Sequence, residues 1–277
     1  NGFYYKMFHK PKWLWPIAEK QIRKVAGLGS IDTAGRHVSR RYEKRYRFPD
    51  ICVVGGGPSG LAASKAALDE GKKVLLLDDH PEIGGHSLHS LSIIQDSPFP
   101  ELEGMAEHEG IRKLAADLQN ASNLEIMSDA TVFGVYEDNL VAAQWGTDLM
   151  KIRADRVILA TGVSDRHLVF DNNDRPGIMT SRGVERLIMI HGISPANEAV
   201  VVTSHDGGYH TALLLHGAGV KLKAVVDSRS SGTQGPFEEQ IKNLDVPVYR
   251  NMTAHRAHGR KKLQRVDIGP VLGGEAT

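Results

Sequence analysis

The sequence predicts an α/β fold built on two βαβ units, each with a parallel sheet. The first unit begins with the apolar strand Ile51–Val54, passes through a glycine-rich turn into an alanine-rich helix over Leu61–Glu70, and returns in the apolar strand Val74–Leu77. A second unit repeats this layout, with its strand, helix and strand at Ala199–Thr203, Gly208–His216 and Val220–Val226. At 277 residues, the chain has room for about two domains of ordinary size.

Shorter apolar patterns between and after these units complete the expected order of elements. In chain order they are a helix over Glu107–Ala121, a strand over Leu124–Met127, an antiparallel ribbon made from Ala130–Tyr136 and Leu140–Trp145, a buried strand over Val157–Ala160, a helix over Pro236–Asn243, and strands over Val246–Tyr249 and Leu263–Ile268.

The composition is that of an ordinary globular protein, with 41% hydrophobic and 24% charged residues. The single cysteine, Cys52, excludes an internal disulfide framework, and it excludes a four-cysteine zinc site or an iron–sulfur cluster held by this chain alone. No apolar run approaches the roughly 18 residues that a membrane span needs, and no signal-peptide pattern opens the sequence. We therefore expect a reducing, cytoplasmic location.

The first 48 residues differ from the remainder in charge and in aromatic content. They carry a net charge of +9 against −8 for the remainder, and they hold 9 of the 17 aromatic residues. A short amphipathic helix is expected from Pro16 to Ala26, and a basic, tyrosine-containing run follows at residues 40–47. Such a segment could bind nucleic acid or a membrane surface. We favour an extended arm that packs on this protein or on partner subunits, because its aromatic residues would otherwise form an exposed apolar patch.

Three parts are therefore expected along the chain. They are a basic, aromatic arm over residues 1–48, a dinucleotide-binding domain over residues 49–163, and a second Rossmann-like domain over residues 164–277. The sequence starts at Asn1 without a methionine and stops at Thr277, soon after a strand-like stretch. We therefore expect a piece of a longer polypeptide, with the second domain truncated.

A Gly-x-Gly-x-x-Gly motif at Gly55, Gly57 and Gly60 is the strongest functional signal. The first glycine permits a tight turn, the second lets the backbone approach a pyrophosphate, and the third lets the helix pack against the strand. The pyrophosphate would lie on the helix N-terminus, at Pro58 and Ser59, where free N–H groups favour anions. Since the motif follows a strand and opens a helix, it predicts dinucleotide binding. The alternative is a glycine turn with no ligand.

An acidic pair, Asp78 and Asp79, ends the second strand of this unit, and Asp78 comes 18 residues after Gly60. A carboxylate at this distance can accept hydrogen bonds from both ribose hydroxyls of an adenosine. It would repel a 2′-phosphate, so NADP is disfavoured. We expect Asp78 to be the main ribose ligand and Asp79 a weaker neighbour.

Two smaller motifs lie near the first one in the expected fold: Glu82-Ile83-Gly84-Gly85 and Ala160-Thr161-Gly162. Each alone could be only a turn. Together with the glycine motif they are typical of the glutathione-reductase type of two-dinucleotide-binding-domain flavoprotein, which is the fold we expect. The full set of predicted cofactor-binding residues is Gly55, Gly57, Pro58, Ser59, Gly60, Asp78, Asp79, Gly84, Gly85, His86, Val132, Ala160, Thr161 and Gly162.

The corresponding loop of the second βαβ unit argues against a second nicotinamide site. Ser204 and Asp206 replace the first two glycines of the motif, and Asp206 would place a carboxylate against a pyrophosphate. The chain also has no Cys-x-x-Cys pair, so a disulfide reductase is excluded.

Other polar patterns do not predict a catalytic or metal site. Arg166 and the run Asn172–Gly177 form a polar crossover that we interpret as a structural turn rather than a catalytic loop, and no catalytic residue is assigned. No metal site is predicted, because no cysteine or carboxylate in a ligand pattern accompanies the histidine pairs His86–His89, His205–His210 and His255–His258.

Several stretches resemble, in the same order, the alpha subunits of heterotetrameric sarcosine oxidases. One departure is Ala160-Thr161-Gly162, where many sarcosine oxidases would have Ala-Ala-Gly, and this leaves the subfamily open. The resemblance covers nearly the whole chain and rests on Asn1–Lys6, Ile22–Gly29, Tyr42–Tyr46, the Gly55 motif, Thr131–Tyr136, Val169–Phe170, Asn173–Gly177 and Val225–Arg229.

The resemblance implies a non-covalent NAD in this chain, with FAD and a covalent FMN in or beside a beta subunit that oxidises the amine. It implies beta, gamma and delta partner subunits, and a tetrahydrofolate-binding C-terminal domain that this chain does not contain. Related opine, hydroxyproline and cyanide-forming glycine dehydrogenases can carry FAD or ATP instead. Two alternatives therefore stay open: an FAD-dependent oxidoreductase subunit, and a non-catalytic interaction module with a structural dinucleotide.

Overall fold

A computed structural model describes residues 13, 15–25, 42–231 and 235–271, and it separates the chain into two units, Asn1–Arg41 and Tyr42–Thr277. In the first unit, helix α1 (Trp15–Val25) matches the amphipathic helix expected there. The rest of the arm up to residue 41 lies outside the described residues. Within the described part of the chain, no helix is long and apolar enough to cross a membrane.

The described residues of the second unit form three sheets and a two-stranded ribbon. Its strands are β1 (Lys44–Arg47), β2 (Ile51–Val54), β3 (Val74–Leu77), β4 (Leu124–Met127), β5 (Ala130–Tyr136), β6 (Leu140–Trp145), β7 (Asp148–Arg153), β8 (Arg156–Leu159), β9 (Glu198–Thr203), β10 (Lys221–Asp227), β11 (Val248–Arg250), β12 (Met252–His258) and β13 (Arg265–Pro270). Its helices are α2 (Pro58–Asp69), α3 (Glu107–Gln119), α4 (Ser181–Met189), α5 (Gly207–Gly217) and α6 (Pro236–Lys242).

The first βαβ unit is the centre of a parallel sheet with strand order β4-β3-β2-β8. Successive side chains of a strand point to opposite faces, and here both faces are covered. Val53 packs among the residues of α2 and α3, as does Leu76, while Cys52 and Leu75 pack on the other face against Met150 and its neighbours. Burial on both faces explains why these strands are continuous apolar runs rather than alternating ones.

A second sheet, in the order β1-β7-β6-β5, covers that other face. Its members β5, β6 and β7 pair antiparallel, whereas β1 pairs parallel with β7. The sequence analysis placed Lys44–Arg47 in the arm and did not predict β7. Residues distant in the sequence contact this strand: Arg45 Nε lies 2.6 Å from Asp148 Oδ2, and Arg47 Nε lies 2.9 Å from Glu125 Oε1. Backbone pairing with β7, accompanied by these ion pairs, places in a sheet a charged run that local propensity would leave outside one.

The second βαβ unit forms a separate parallel sheet in the order β11-β10-β9, with its own hydrophobic core. Tyr209, Val225 and Ile241 are fully buried in that core. The antiparallel ribbon β12-β13 follows. The crossover run Asn172–Gly177 is fastened to this ribbon, because the Asn172 side-chain amide donates to the carbonyl of Ala257 at 3.0 Å. This contact supports the interpretation of the run as a structural turn.

Candidate dinucleotide-binding site

The turn between β2 and α2 requires glycine at its first and last motif positions. Gly55 has φ +106°, and a Cβ there would lie 2.2 Å from the carbonyl oxygen of Ala160. A Cβ on Gly60 would lie 1.8 Å from the carbonyl oxygen of Gly55. Both distances are far shorter than any tolerated contact, so these two glycines let the chain close the turn and pack the helix.

Gly57 is different, because the space beside it is open. It has φ −75° and is the N-cap of α2, and no side chain caps this helix end. A Cβ on Gly57 would contact only the Cα of Gly85, at 3.9 Å. The fold itself therefore does not need glycine at this position. The open space lies where free N–H groups of a helix N-terminus favour an anion.

The Gly84-Gly85 motif lies directly against the first glycine motif. Gly84 and Gly85 both have positive φ, at +142° and +58°. A Cβ on Gly85 would lie 2.9 Å from the Cα of Gly57, so the two backbones approach each other closely. Two motifs that are about 28 residues apart in the sequence therefore lie next to each other at the N-terminus of α2.

The Ala160-Thr161-Gly162 motif closes the opposite side of the glycine turn. The backbone N–H of Ala160 donates to the carbonyl of Val54 at 2.7 Å, and this continues the pairing of β8 with β2. Gly162 has φ +68°, and no atom would contact a Cβ there within 4 Å. Val132, by contrast, lies within β5 and packs on the core between the two sheets.

Asp78 is buried under the glycine turn, with 8% of its surface exposed. Its Oδ2 accepts a hydrogen bond from the backbone N–H of Gly56 at 2.6 Å, and its Oδ1 accepts one from the N–H of His80 at 2.9 Å. An ionised carboxylate has about four acceptor sites, so each oxygen keeps capacity for a ribose hydroxyl. The structure thus adds a second role for Asp78: it holds the turn itself.

Asp79 and His80 stand beside this carboxylate. The Asp79 side chain is mostly exposed, and its Oδ1 lies 2.7 Å from His80 Nδ1. One atom each of Asp78, Asp79 and His80 lie within 4.8 Å of one another, which is close enough to share a cation. We do not assign a metal site, because acidic clusters of this kind are common, and all three residues already have protein partners.

The second βαβ unit uses its equivalent carboxylate internally. Asp227 ends β10 as Asp78 ends β3, but Asp227 is fully buried and accepts from Tyr209 Oη at 2.9 Å and from Arg229 Nη2 at 2.8 Å. Burial opposes ionisation of Asp227, but the hydrogen bonds from Arg229 outweigh it and hold the pKa of Asp227 below its usual value. Arg229 also pairs with Asp206 at 2.9 Å. These contacts support the expectation that this loop binds no second nicotinamide.

Helix α4 brings three charged residues that sequence reasoning missed. Arg182, Glu185 and Arg186 lie on one face of α4 and contact histidines of the segment that follows β3. The only sequence signal is the spacing i, i+3, i+4, which places them on one helix face. Because α4 was not predicted from the sequence, this spacing could not be assigned to a helix face.

Cys52 has no reactive role in this site. It is buried in the middle of β2, and burial raises the pKa of its thiol to about 12. A thiol with such a pKa is protonated at neutral pH and is a poor nucleophile.

Known proteins with similar sequences confirm the resemblance. The chain is 33% identical over 243 residues to the alpha subunit of sarcosine oxidase from Rhizobium meliloti, a match that covers 82% of this chain and 24% of that protein. It is 25% identical over 185 residues to one subunit of opine oxidase from the same organism, covering 66% of this chain and 39% of that one. The chain therefore spans about a quarter of the sarcosine oxidase polypeptide that it matches.

Solved structures and a family model agree on the fold. Thioredoxin reductase of T. acidophilum superposes with a TM-score of 0.63 at 18% identity, covering 83% of this chain and 73% of that one. The expected two-dinucleotide-binding-domain fold is therefore confirmed. The family model described as pyridine nucleotide-disulphide oxidoreductase matches residues 49–266. With most of its length matched, this chain belongs to the pyridine nucleotide-disulphide oxidoreductase family.

Proposed function

We propose that this chain is the NAD-binding part of the alpha subunit of a sarcosine oxidase-like complex, which oxidatively demethylates sarcosine to glycine. The observation that carries the proposal is the open space between Gly57 and Gly85 at the N-terminus of α2, on a turn that the Asp78 carboxylate holds through the N–H of Gly56. The likeness to the sarcosine oxidase alpha chain supports the choice of complex.

The residues of this chain fit an adenine dinucleotide. The pyrophosphate would lie against Gly57 and the first turn of α2, where a Cβ would fill the space that it needs. Asp78 would accept the ribose hydroxyls, and Gly85 would allow close approach from the other side. A bound NAD would supply a nicotinamide that can exchange a hydride. This chain's residues bind and orient it, and the sequence provides no catalytic acid, base or nucleophile that we can assign.

Amine oxidation would take place on a partner. We propose a beta subunit that carries FAD and FMN, together with gamma and delta subunits, in a heterotetramer. A tetrahydrofolate-binding domain would belong to the longer alpha polypeptide. Within this chain we propose a dinucleotide-binding domain over residues 49–163 and a second Rossmann-like domain over residues 164–277. The basic N-terminal arm would contact partner subunits.

One alternative function places FAD in the same glycine turn, in an opine oxidase-like complex. The similarity to the opine oxidase chain favours it. The adenosine and pyrophosphate moieties are common to NAD and FAD, so Gly57 and Asp78 would serve either one. A second alternative is a non-catalytic module in which the dinucleotide only stabilises the fold.

Identification of the bound nucleotide separates these functions. The purified protein is denatured, and the released small molecules are identified by mass spectrometry. NAD supports the sarcosine oxidase-like function or the structural module, whereas FAD supports the opine oxidase-like one. Electron transfer from sarcosine to NAD, tested after reconstitution with a beta-type subunit, then distinguishes a redox-active NAD from a structural one. A protein that binds neither nucleotide at millimolar concentration would contradict the proposal.

A further inference from the structure

Three histidines on the segment after β3 each meet one charged residue of helix α4. Arg186 contacts His80, Arg182 contacts His86, and Glu185 contacts His89. This segment also carries Gly84 and Gly85, which line the candidate site. Helix α4, which lies next to the second βαβ unit, therefore contacts the segment after β3 of the first unit at His80, His86 and His89.

Arg186 fixes the hydrogen-bonding state of His80. Its Nη1 lies 2.6 Å from His80 Nε2. A guanidinium is only a donor, so Nε2 must accept, and the imidazole proton must lie on Nδ1. Nδ1 then donates to Asp79 Oδ1 at 2.7 Å. Arg186, His80 and Asp79 thus form a directed chain of hydrogen bonds that ends beside Asp78, the predicted ribose ligand.

Arg182 links the two smaller motifs of the candidate site. Its Nη1 contacts both His86 Nε2 and the carbonyl oxygen of Val163. His86 directly follows Gly84-Gly85, and Val163 directly follows Ala160-Thr161-Gly162. Burial and the positive charge of Arg182 lower the pKa of His86, which keeps its Nε2 available as an acceptor. Asp165 holds Arg182 in place, since its Oδ1 lies 3.3 Å from Arg182 Nε.

Glu185 anchors the helix between these two arginines. It is buried, and its Oε1 accepts from Thr211 Oγ1 at 2.7 Å and lies 3.2 Å from His210 Nδ1. Its Oε2 lies 3.4 Å from His89 Nδ1. The carboxylate therefore holds α4 against both α5 and the segment after β3.

We propose that Arg186 and Arg182 are positioning residues of the dinucleotide site, acting through His80 and His86. This inference rests on the proposed function, namely that the glycine turn binds a dinucleotide. The predicted site residues include two carboxylates, Asp78 and Asp79, and no lysine or arginine. The two α4 arginines act on this site by orienting His80, beside Asp78 and Asp79, and His86, beside Gly84 and Gly85. Dinucleotide binding is thereby coupled to the second βαβ unit.

A double-mutant cycle tests the inference on the whole chain. Kd values for NAD and for FAD are measured by calorimetry for the wild type and for Arg186→Met, Arg186→Lys and His80→Asn. Arg186→Met should raise Kd roughly five- to tenfold. Arg186→Lys, whose side chain is also only a donor, should keep most of the wild-type affinity. In the His80→Asn background, Arg186→Met should change Kd by less than about twofold, because the two residues act as one unit. Arg265→Met, which removes an exposed pair with Asp267 on the ribbon, is the matched control.

A spectroscopic readout separates positioning from general damage. The ¹⁵N shifts of His80 should show the Nδ1–H tautomer in the wild type and a mixture in Arg186→Met. Arg182→Met should likewise weaken binding several-fold and should raise the pKa of His86 measured in the same spectra. If Arg186→Met does not fold, Arg186→Gln takes its place in the cycle. Wild-type Kd values and an unchanged His80 tautomer in a folded Arg186 variant would overturn this inference and leave the proposed function unaffected. A wild type that binds neither nucleotide would overturn the proposed function together with it.

Discussion

At the residue scale, the three glycines of the first motif do different things. Gly55 and Gly60 are required by the fold, because a Cβ on either one would collide with backbone. Gly57 is not required by the fold, since its φ of −75° suits any residue and its surroundings are open. This difference makes the two roles separable by mutation.

We predict that Gly57→Ala folds normally and loses dinucleotide binding. The added methyl would occupy the space of the pyrophosphate, and we expect the Kd for NAD to rise at least tenfold while the melting temperature of the ligand-free protein stays within a few degrees of the wild type. Calorimetric titration and thermal denaturation measure the two effects.

Two further glycine variants serve as controls for that prediction. Gly60→Ala should destabilise the fold itself, because its Cβ would lie 1.8 Å from the carbonyl oxygen of Gly55. Gly217→Ala, at the end of α5 with no atom within 4 Å of its Cβ, should change neither property. Retention of wild-type NAD affinity in Gly57→Ala would show that the motif is only a structural turn.

Asp78 should contribute both to binding and to stability. Asp78→Ala removes the acceptor of the Gly56 and His80 N–H groups and of the ribose hydroxyls, and hydrogen bonds to a charged group are worth roughly 1.5–3 kcal/mol each. We predict at least a tenfold loss of NAD affinity and a lower free energy of unfolding for the ligand-free protein, measured by titration and by urea denaturation.

Asp79→Ala is the matched comparison, because its carboxylate is adjacent but mostly exposed. It should cost less affinity and little stability. Equal effects of the two substitutions on stability would refute the buried role that we assign to Asp78.

Sequence reasoning predicts candidate residues that a local pattern marks, and it misses those that depend on tertiary position. The glycines could be predicted because a strand–turn–helix imposes them at fixed spacing. Arg182 and Arg186 could not be predicted. The local sequence does not distinguish a helix arginine that contacts a distant loop from one that is exposed to solvent.

At the element scale, helix α4 connects the two βαβ units through Glu185. Burial alone would raise the pKa of this carboxyl, but hydrogen bonds from His210, His89 and Thr211 outweigh burial and hold the pKa well below its ordinary value of 4.5. A lowered pKa means that the unfolded state binds more protons in acid, so the stabilising contribution is complete above about pH 5 and is lost as the pH falls below 4.5.

We predict that Glu185→Gln lowers the free energy of unfolding at pH 7 by about 1–3 kcal/mol, because three donors lose a charged acceptor. The variant should also lose less stability than the wild type between about pH 5 and pH 3. Urea denaturation at a series of pH values measures both effects, with Asp69→Asn, which removes an exposed pair with Lys65, as the control. An acid slope identical to that of the wild type would contradict the role given to Glu185.

Most elements of the two βαβ units could be predicted because apolar runs and glycine turns mark them locally. Strand β1 could not, since its charged residues are stabilised by Asp148 and Glu125 from distant parts of the chain. The ribbon strand β12 carries three charged or histidine side chains among seven residues, so it lacks the apolar alternation that predicts a strand. Its pairing with β13 compensates for that lack.

At the scale of the whole molecule, the two βαβ units are alike in layout and different at the loop that follows the first strand of each. The first leaves open space at Gly57 and acceptor capacity on Asp78, whereas the second fills its equivalent positions with Asp206, Arg229 and Tyr209. The sequence predicted this difference from the missing glycines. The contacts of Asp227 with Tyr209 and Arg229 could be found only from the structure, because they join residues from β10, α5 and the loop after β10.

The central claim is that the first βαβ unit binds one adenine dinucleotide at the glycine turn. Native mass spectrometry tests this binding when the purified chain is mixed in turn with NAD, FAD and NADP at a concentration close to the wild-type Kd. We predict one site for NAD or FAD per chain in the wild type, weak or no binding of NADP, and a several-fold lower occupancy in Gly57→Ala. Equal occupancy of the wild type and of Gly57→Ala, or a wild type that stays empty with all three nucleotides, would contradict it.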